Sequence, residues 1–332
     1  MPTALVAPDA FKGTYDAATV ADALARGLRA CGWEADRCPV ADGGEGTSEL
    51  LVAALGGRIE EVAATDPLGA PVTCLLGLAG ETAIVEVAQA SGLSLVAEAD
   101  RDAWRASTRG TGELVAAAVA AGAREILVAA GGSATTDGGR GAIEAIRAAG
   151  GLGEARLVVL CDVRIAFEDA PRVFGPQKGA DAATVARLED RLEDFATELP
   201  RDPRGVAMTG AAGGLSGGLW AAFGAELRPG AAAVLDALTV DERLERAQLV
   251  VAGEGCLDEQ SFAGKVAGEL VRRARGARVP ACAVVGSTRL SDEEAGRFGL
   301  ARVLVASTLE EIEAAGRQLG DWAGRTWVTE RP

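Results

Sequence analysis

Ten ionisable residues each follow a short apolar run and most sit next to glycine: Asp9, Lys12, Asp42, Glu45, Asp137, Asp162, Lys178, Glu254, Asp258 and Lys265. One carboxylate in such a place reads as a helix cap. Many of them, with three lysines on glycine-rich loops, match a Mg²⁺–polyphosphate site. Hard carboxylate oxygens bind Mg²⁺, ammonium and backbone N–H groups neutralise phosphate, and a carboxylate can take the proton of an attacking hydroxyl. The chain has no histidine, which removes His-dependent triads, His–zinc centres and His bases together. Acid–base chemistry is left to carboxylates, Lys, Cys, the lone Tyr15 or water. No G-x-x-x-x-G-K-[ST] run occurs, so the chemistry indicated is phosphoryl transfer on a non-Walker fold.

The stretch Glu125 to Arg147 concentrates these features. Ile126 to Ala130 is an apolar run fit for a buried parallel strand, and Ile143 and Ile146 restart a helical period. Between them Gly131 to Gly139 carries four glycines, three hydroxyl residues and Asp137. Strand, glycine-rich loop and helix in that order form an anion site. Gly131, Gly132, Ser133, Thr135 and Gly138 are its phosphate-binding candidates. Asp137 has two open readings, an N-cap or a divalent-cation ligand. Asp42 and Glu45 in D-G-G-E are similarly either a capping box or groups facing one cavity as metal ligands or as a base. Gly210 to Gly218, with Gly213 and Gly214 at its centre, is either a nucleotide loop or a close helix contact.

These loops need elements to hold them. Ala4–Pro8 reads as a buried strand leading through Asp9 and Lys12 to a helix with Ala18, Val20, Ala21, Leu24 and Leu28 on its apolar face. Residues 36–41 form a second strand. At Arg58 the grammar changes to β-rich runs over 59–64, 72–78 and 82–87, joined by D-P-L-G-A-P and L-A-G-E turns, an antiparallel meander. Leu157–Leu160 is a further strand ending at Asp162, and Lys178 lies in a rigid Pro/Gly turn. The charged helix over 181–198 reads as a solvated face. Strands near 249–253, 281–286 and 301–306 restore α/β grammar. The expected organisation is two α/β domains: residues 1–57 plus 245–332 as a doubly wound parallel sheet, with 58–244 inserted as a mixed domain containing antiparallel strands.

A net charge of −15 excludes a nucleic-acid or anionic-membrane surface. No apolar run reaches membrane-spanning length, and the start carries no basic n-region, so a cytoplasmic protein is expected. Six scattered cysteines without a C-x-x-C pair read as reduced thiols. A homo-oligomer is compatible with all of this.

The successive runs A-P-D-A-F-K-G, V-A-D-G-G-E-G-T, G-G-S-A-T-T-D-G-G, F-G-P-Q-K-G-A, G-A-A-G-G-L and G-E-G-C-L-D-E-Q-S-F-A-G-K resemble, in order, those of the type I glycerate 2-kinase family. The resemblance spans nearly the whole chain. It implies a two-domain α/β fold with one flavodoxin-like domain, and ATP- and Mg²⁺-dependent phosphorylation of D-glycerate to 2-phosphoglycerate. Lys12, Asp42, Asp137, Asp162 and Lys178 are then the catalytic candidates, Asp42 and Asp137 the metal candidates. Asp9, Glu45, Glu254, Asp258, Gln260 and Lys265 are substrate or metal candidates. Several positions depart from the family pattern. Cys256 stands where an arginine is usual, Arg109 where a tyrosine is usual, and the connection after Asp162 is shorter. Arg109 and Arg164 are candidates to replace the missing guanidinium. A divergent kinase for another small hydroxy acid or polyol, or a binding protein without catalysis, is the competing expectation.

Overall fold

The computed structural model describes residues 1–11, 13–41 and 46–326. Lys12, Asp42 and Glu45 therefore lie outside the described residues. The chain divides into two compact units, residues 1–42 with 231–332, and residues 43–230.

The first unit opens with β1 (Thr3–Pro8), α1 (Ala17–Ala30) and β2 (Glu34–Arg37). β1 is buried along nearly its whole length, as a central parallel strand must be. Asp16 caps α1, its carboxylate accepting from Thr19 N at 2.7 Å.

The second unit runs through α2 (Thr47–Ala54), β3 (Arg58–Thr65), β4 (Pro71–Ala79), β5 (Thr82–Glu86), α3 (Val87–Ser91), α4 (Arg109–Ala120), β6 (Glu125–Ala129), α5 (Arg140–Ala148) and β7 (Arg156–Leu160). It continues with α6 (Ala170–Phe174), α7 (Ala182–Glu198), α8 (Leu215–Phe223) and β8 (Glu226–Arg228). Its sheet has the order β3-β4-β5-β6-β7-β8. The first three strands pair antiparallel, with Arg58 opposite Leu78 and Gly77 opposite Ile84. From β5 onward the pairing is parallel, Thr82 beside Glu125 and Glu125 beside Arg156. The meander is thus the antiparallel edge of a sheet whose other half is parallel. Leucine, valine and isoleucine from both halves share one core with Phe167, Phe195 and Leu215.

The chain then returns to the first unit with α9 (Gly230–Ala237), α10 (Val240–Arg246), β9 (Leu249–Leu257), α11 (Val266–Gly276), β10 (Ala281–Thr288), α12 (Asp292–Phe298), β11 (Leu300–Val305) and α13 (Leu309–Thr326). The sheet order is β11-β10-β9-β1-β2 with every pair parallel. In chain order this is the 2-1-3-4-5 arrangement of flavodoxin-like sheets. Trp33 seals the contact of α1 with α13, its indole N–H donating to Gly320 O at 3.0 Å. The strand expected near 301–306 is β11, an edge strand with Val305 exposed. The divisions at 42/43 and 230/231 precede the expected ones at 57/58 and 244/245. The reason is packing: α2 lies on β3, β4 and β5 of the second unit. Within the first unit, α10 is tied down by Arg243 of that helix, whose guanidinium meets Asp36 at 2.6 Å.

Among the described residues no helix is long and apolar enough to cross a membrane, and all six cysteines are free.

Candidate functional site

In the second unit the candidate residues gather around the loop that follows β6. A parallel strand ends at Ala129, and the chain must turn through Gly132 (φ 68°), Gly138 (φ 69°) and Gly139 (φ 81°) before α5 can start. Asp137 lies three residues before that helix. Its Oδ1 accepts from Gly139 N (3.0 Å) and its Oδ2 from Gly141 N (3.2 Å), Thr108 N (2.9 Å) and Thr108 Oγ1 (2.9 Å). Oδ2 carries three of these bonds and Oδ1 one. Asp137 thereby ties the first turn of α5 to Thr108, the residue before α4.

Lys178 reaches the same loop from the turn after α6. Its backbone N–H closes onto Gly175 O at 2.9 Å and Gly179 (φ 90°) redirects the chain. The side chain is 2% exposed. Its ammonium donates to Thr135 O at 2.6 Å and to Ser133 Oγ at 3.0 Å. Burial pulls its pKa down to about 7, with the Asp137 charge acting in the opposite sense. Arg191, on α7, supports the next peptide, donating from one Nη to Thr136 O at 2.8 Å and from the other to Trp104 O at 2.7 Å.

Two successive carbonyls are therefore turned toward cations. In a planar trans peptide the N–H points opposite to the C=O. Among the described residues the amides of Thr135, Thr136 and Asp137 meet no acceptor, and the buried hydroxyls of Thr135 and Thr136 are also without a partner. Buried donors are normally paired. A cluster of unpaired ones beside a lysine lacks an acceptor-rich, anionic group, and phosphate oxygens are such a group.

Several glycines of 210–218 pack closely against the β6 loop. A Cβ at Gly213 (φ 67°) would fall 1.9 Å from Thr135 O, and one at Gly218 would fall 2.1 Å from Gly138 O. Gly138 N donates to Gly213 O at 3.1 Å. This segment backs the β6 loop, and Gly214 meets Phe167 rather than open space.

Asp162 follows β7, half-buried, one residue beyond Cys161. Arg109 turns to Glu113, Nε to Oε1 at 3.0 Å. Glu86, which sequence reasoning passed over, is 2% exposed at the end of β5 and accepts from Ser48 N at 2.6 Å. Its signal was available: a carboxylate directly after the apolar run Ala83–Val85. Arg191 was hidden inside a helix whose charges looked uniformly solvated.

In the first unit, Asp9 follows the last residue of β1, and Glu254 lies on β9 just past Gly253, where the pairing of β9 with β1 ends at Pro8. β1 and β9 are the strands between which chain order reverses, where open α/β sheets bind ligands. Among the described residues Glu254 Oε1 is buried without a partner. Burial raises the Glu254 pKa to about 7; Ser261 and Lys265 act against that rise, and Asp9 and Asp258 add to it. Asp258 forms a capping box with Ser261, accepting from Gln260 N (2.9 Å) and Ser261 N (3.2 Å). Cys256 lies one register step from Gly255, opposite Ser287 on β10. Among the described residues no three acidic or thiol groups come together as a metal site.

Residues 4–150 and 146–322 match the model of the glycerate kinase family. The chain belongs to the glycerate kinase family. It is accordingly a kinase, a phosphotransferase with an alcohol acceptor. This family member is 36% identical over 322 residues to the glycerate 2-kinase of Escherichia coli K12, covering 85% of this chain and 84% of that protein. It is 38% identical over 325 residues to the glycerate kinase of Bacillus subtilis 168, with 85% and 84% covered. A crystal structure of a candidate glycerate kinase 2 from Salmonella typhimurium LT2 superimposes with a TM-score of 0.85 at 32% identity, covering 98% of each chain.

Proposed function

We propose that this glycerate kinase family member transfers the γ-phosphoryl group of ATP to D-glycerate, giving 2-phosphoglycerate. The observation that carries the reading is the loop Ser133–Asp137, where the buried Lys178 ammonium holds Thr135 O and, among the described residues, the hydroxyls of Thr135 and Thr136 and the amides of residues 135–137 are unpaired. Phosphoryl transfer is mostly positioning and charge neutralisation, and this donor set suits a polyphosphate. Ser133, Thr135 and Lys178 are its phosphate-binding groups in our assignment, with Gly131, Gly132 and Gly138 giving close backbone approach. Gly213 and Gly214 act from behind, as backing.

Within the first unit, Glu254 is the residue whose chemistry suits a general base. A buried carboxylate oxygen with no partner among the described residues and a pKa near neutrality fits that task. The acceptor's own carboxylate suits the cation Lys265 rather than its acidic neighbours. Mg²⁺ accompanies the nucleotide and supplies neutralisation of its phosphates. The described residues offer it no cluster of three acidic groups, so no step is assigned to it, and one or two carboxylates are a sufficient protein share.

A second acceptor class is favoured by one observation. Cys256 replaces a guanidinium at the end of β9, and Arg109, a candidate substitute, is already paired with Glu113. A smaller or less charged hydroxy acid would need fewer cations. The deciding experiment is a coupled assay of ADP release from ATP with D-glycerate, L-glycerate and glycolate, with and without EDTA, and identification of the product by NMR. Turnover with D-glycerate, abolished by EDTA and yielding 2-phosphoglycerate, is expected. Faster turnover with glycolate would establish the second class. ATP consumption independent of every acceptor would overturn both.

A further inference from the structure

We propose that Arg191 is a positioning residue for phosphate binding, acting through the backbone of the β6 loop without touching the ligand. The inference rests on the phosphate role assigned to that loop. Its basis is the chain of contacts behind Thr136. The Arg191 guanidinium lies with its Cζ 4.8 Å from the centre of the Trp104 ring, and Arg187, one turn earlier on α7, lies 4.1 Å from the same ring. Stacking on an aromatic surface fixes the plane of a guanidinium. With the plane fixed, the two Nη groups fork to Trp104 O and Thr136 O. One fork tine anchors the arginine to its own platform and the other holds the loop.

The consequence falls on the peptide between Thr136 and Asp137. Arg191 takes its carbonyl, so its N–H faces the other way and stays unpaired. Lys178 does the same to the peptide before it through Thr135 O. Each cation thus holds one of two consecutive peptides by its carbonyl, and the charge they present reaches a ligand through those peptide dipoles. Burial lowers the Arg191 pKa, opposed by the Asp137 charge and reinforced by Arg140. A guanidinium nevertheless keeps its proton in proteins, so the polarisation persists at any working pH. Lysine cannot replace it, because one ammonium cannot fork to two carbonyls from a fixed plane.

The test uses the full-length protein and inorganic tripolyphosphate as the probe, measured by isothermal titration calorimetry, beside steady-state kinetics. Arg191→Lys keeps the charge and removes the fork; Arg187→Ala removes a stacking partner that holds no loop carbonyl. Loss of a charged hydrogen bond corresponds to a weakening on the order of 10- to 100-fold. We expect that loss in tripolyphosphate affinity, and a matching rise in KM for ATP, for Arg191→Lys, with KM for the hydroxy acid unchanged. Arg187→Ala should retain the wild-type affinity. Equal affinity in Arg191→Lys and wild type, or an equal loss in Arg187→Ala, would overturn the inference. Should Arg191→Lys misfold, Trp104→Leu is read instead, with the same loss expected and unchanged affinity counting against. Failure of the wild type to bind tripolyphosphate would instead overturn the phosphate role of the loop itself.

Discussion

The ammonium of Lys178 sits 2.6 Å from the carbonyl oxygen of Thr135, a residue on a loop 43 positions earlier in the chain. That contact turns a glycine-rich turn into a charged one, and it costs the lysine its hydration. Replacing Lys178 by Met keeps the stem and removes the charge. We expect kcat/KM for phosphoryl transfer to fall roughly 10²–10³-fold, measured in the coupled assay. Stability should respond differently. The folded pKa near 7 lies below the usual lysine value of 10.5, so between these limits the unfolded chain binds more protons. This group therefore destabilises most below about pH 7, and the wild type gains stability relative to Lys178→Met as the pH rises from about 7 toward 10.5. Urea titrations at three pH values across that range check it.

Glu254 predicts the acid limb of the rate profile. Its pKa is raised to about 7, so the base form gathers as the pH rises through neutrality, and kcat/KM should rise with it. Glu254→Gln should remove that limb and lower kcat on the order of 10²-fold. Between the usual glutamate value of 4.5 and about 7 the folded state holds the extra proton. The wild type should therefore lose stability relative to Glu254→Gln as the pH rises through that window. A wild-type profile still rising through pH 7 in the glutamine variant would move the base elsewhere.

Gly213→Ala tests the backing of the phosphate loop. The new Cβ would stand 1.9 Å from Thr135 O at a φ of 67°, so both strain and a steric clash oppose it. A loss of about 2–4 kcal/mol is expected from a strained φ plus overpacking. Displacing Thr135 should weaken tripolyphosphate binding in the same variant. Thermal melting and calorimetry on one preparation settle both halves.

Asp137→Ala separates a cap from a cation ligand. Four donors lose their acceptor, two of them from Thr108. We expect about 2–4 kcal/mol of destabilisation, a cap plus unpaired buried donors. The Mg²⁺ concentration for half-maximal activity, measured below the melting temperature, should stay within twofold. A shift of tenfold or more would return Asp137 to the metal.

Much of the fold could be read from the chain because apolar runs and turn residues agree locally. Ile126–Ala130 became β6 shifted by one residue, and the runs at 59–64, 72–78 and 82–87 became β3, β4 and β5. The grouping of Lys178 with Ser133 and Thr135 is a long-range contact that no local pattern specifies. What could not be read follows from tertiary packing. Arg191 differs from the exposed charges of α7 only in the ring it lies on and the carbonyl it meets. The glycines at 213 and 218 belong to a run with the composition of a nucleotide loop, and their missing side chains make room for another loop's backbone. The bonds from Thr108 to the second oxygen of Asp137 are likewise set by packing.

β1 is paired on one side with β2 and on the other with β9, which begins more than two hundred residues later. On a ribosome adding roughly 5–20 residues each second, the opening β1-α1-β2 unit has no central neighbour for tens of seconds. The six strands of residues 43–230, by contrast, emerge as one uninterrupted tract and can close their own core first. Birth order therefore reverses sequence order: the segment made first is the last to be finished. A nascent chain stalled before Leu249 should display a protease-resistant middle and a cleavable beginning.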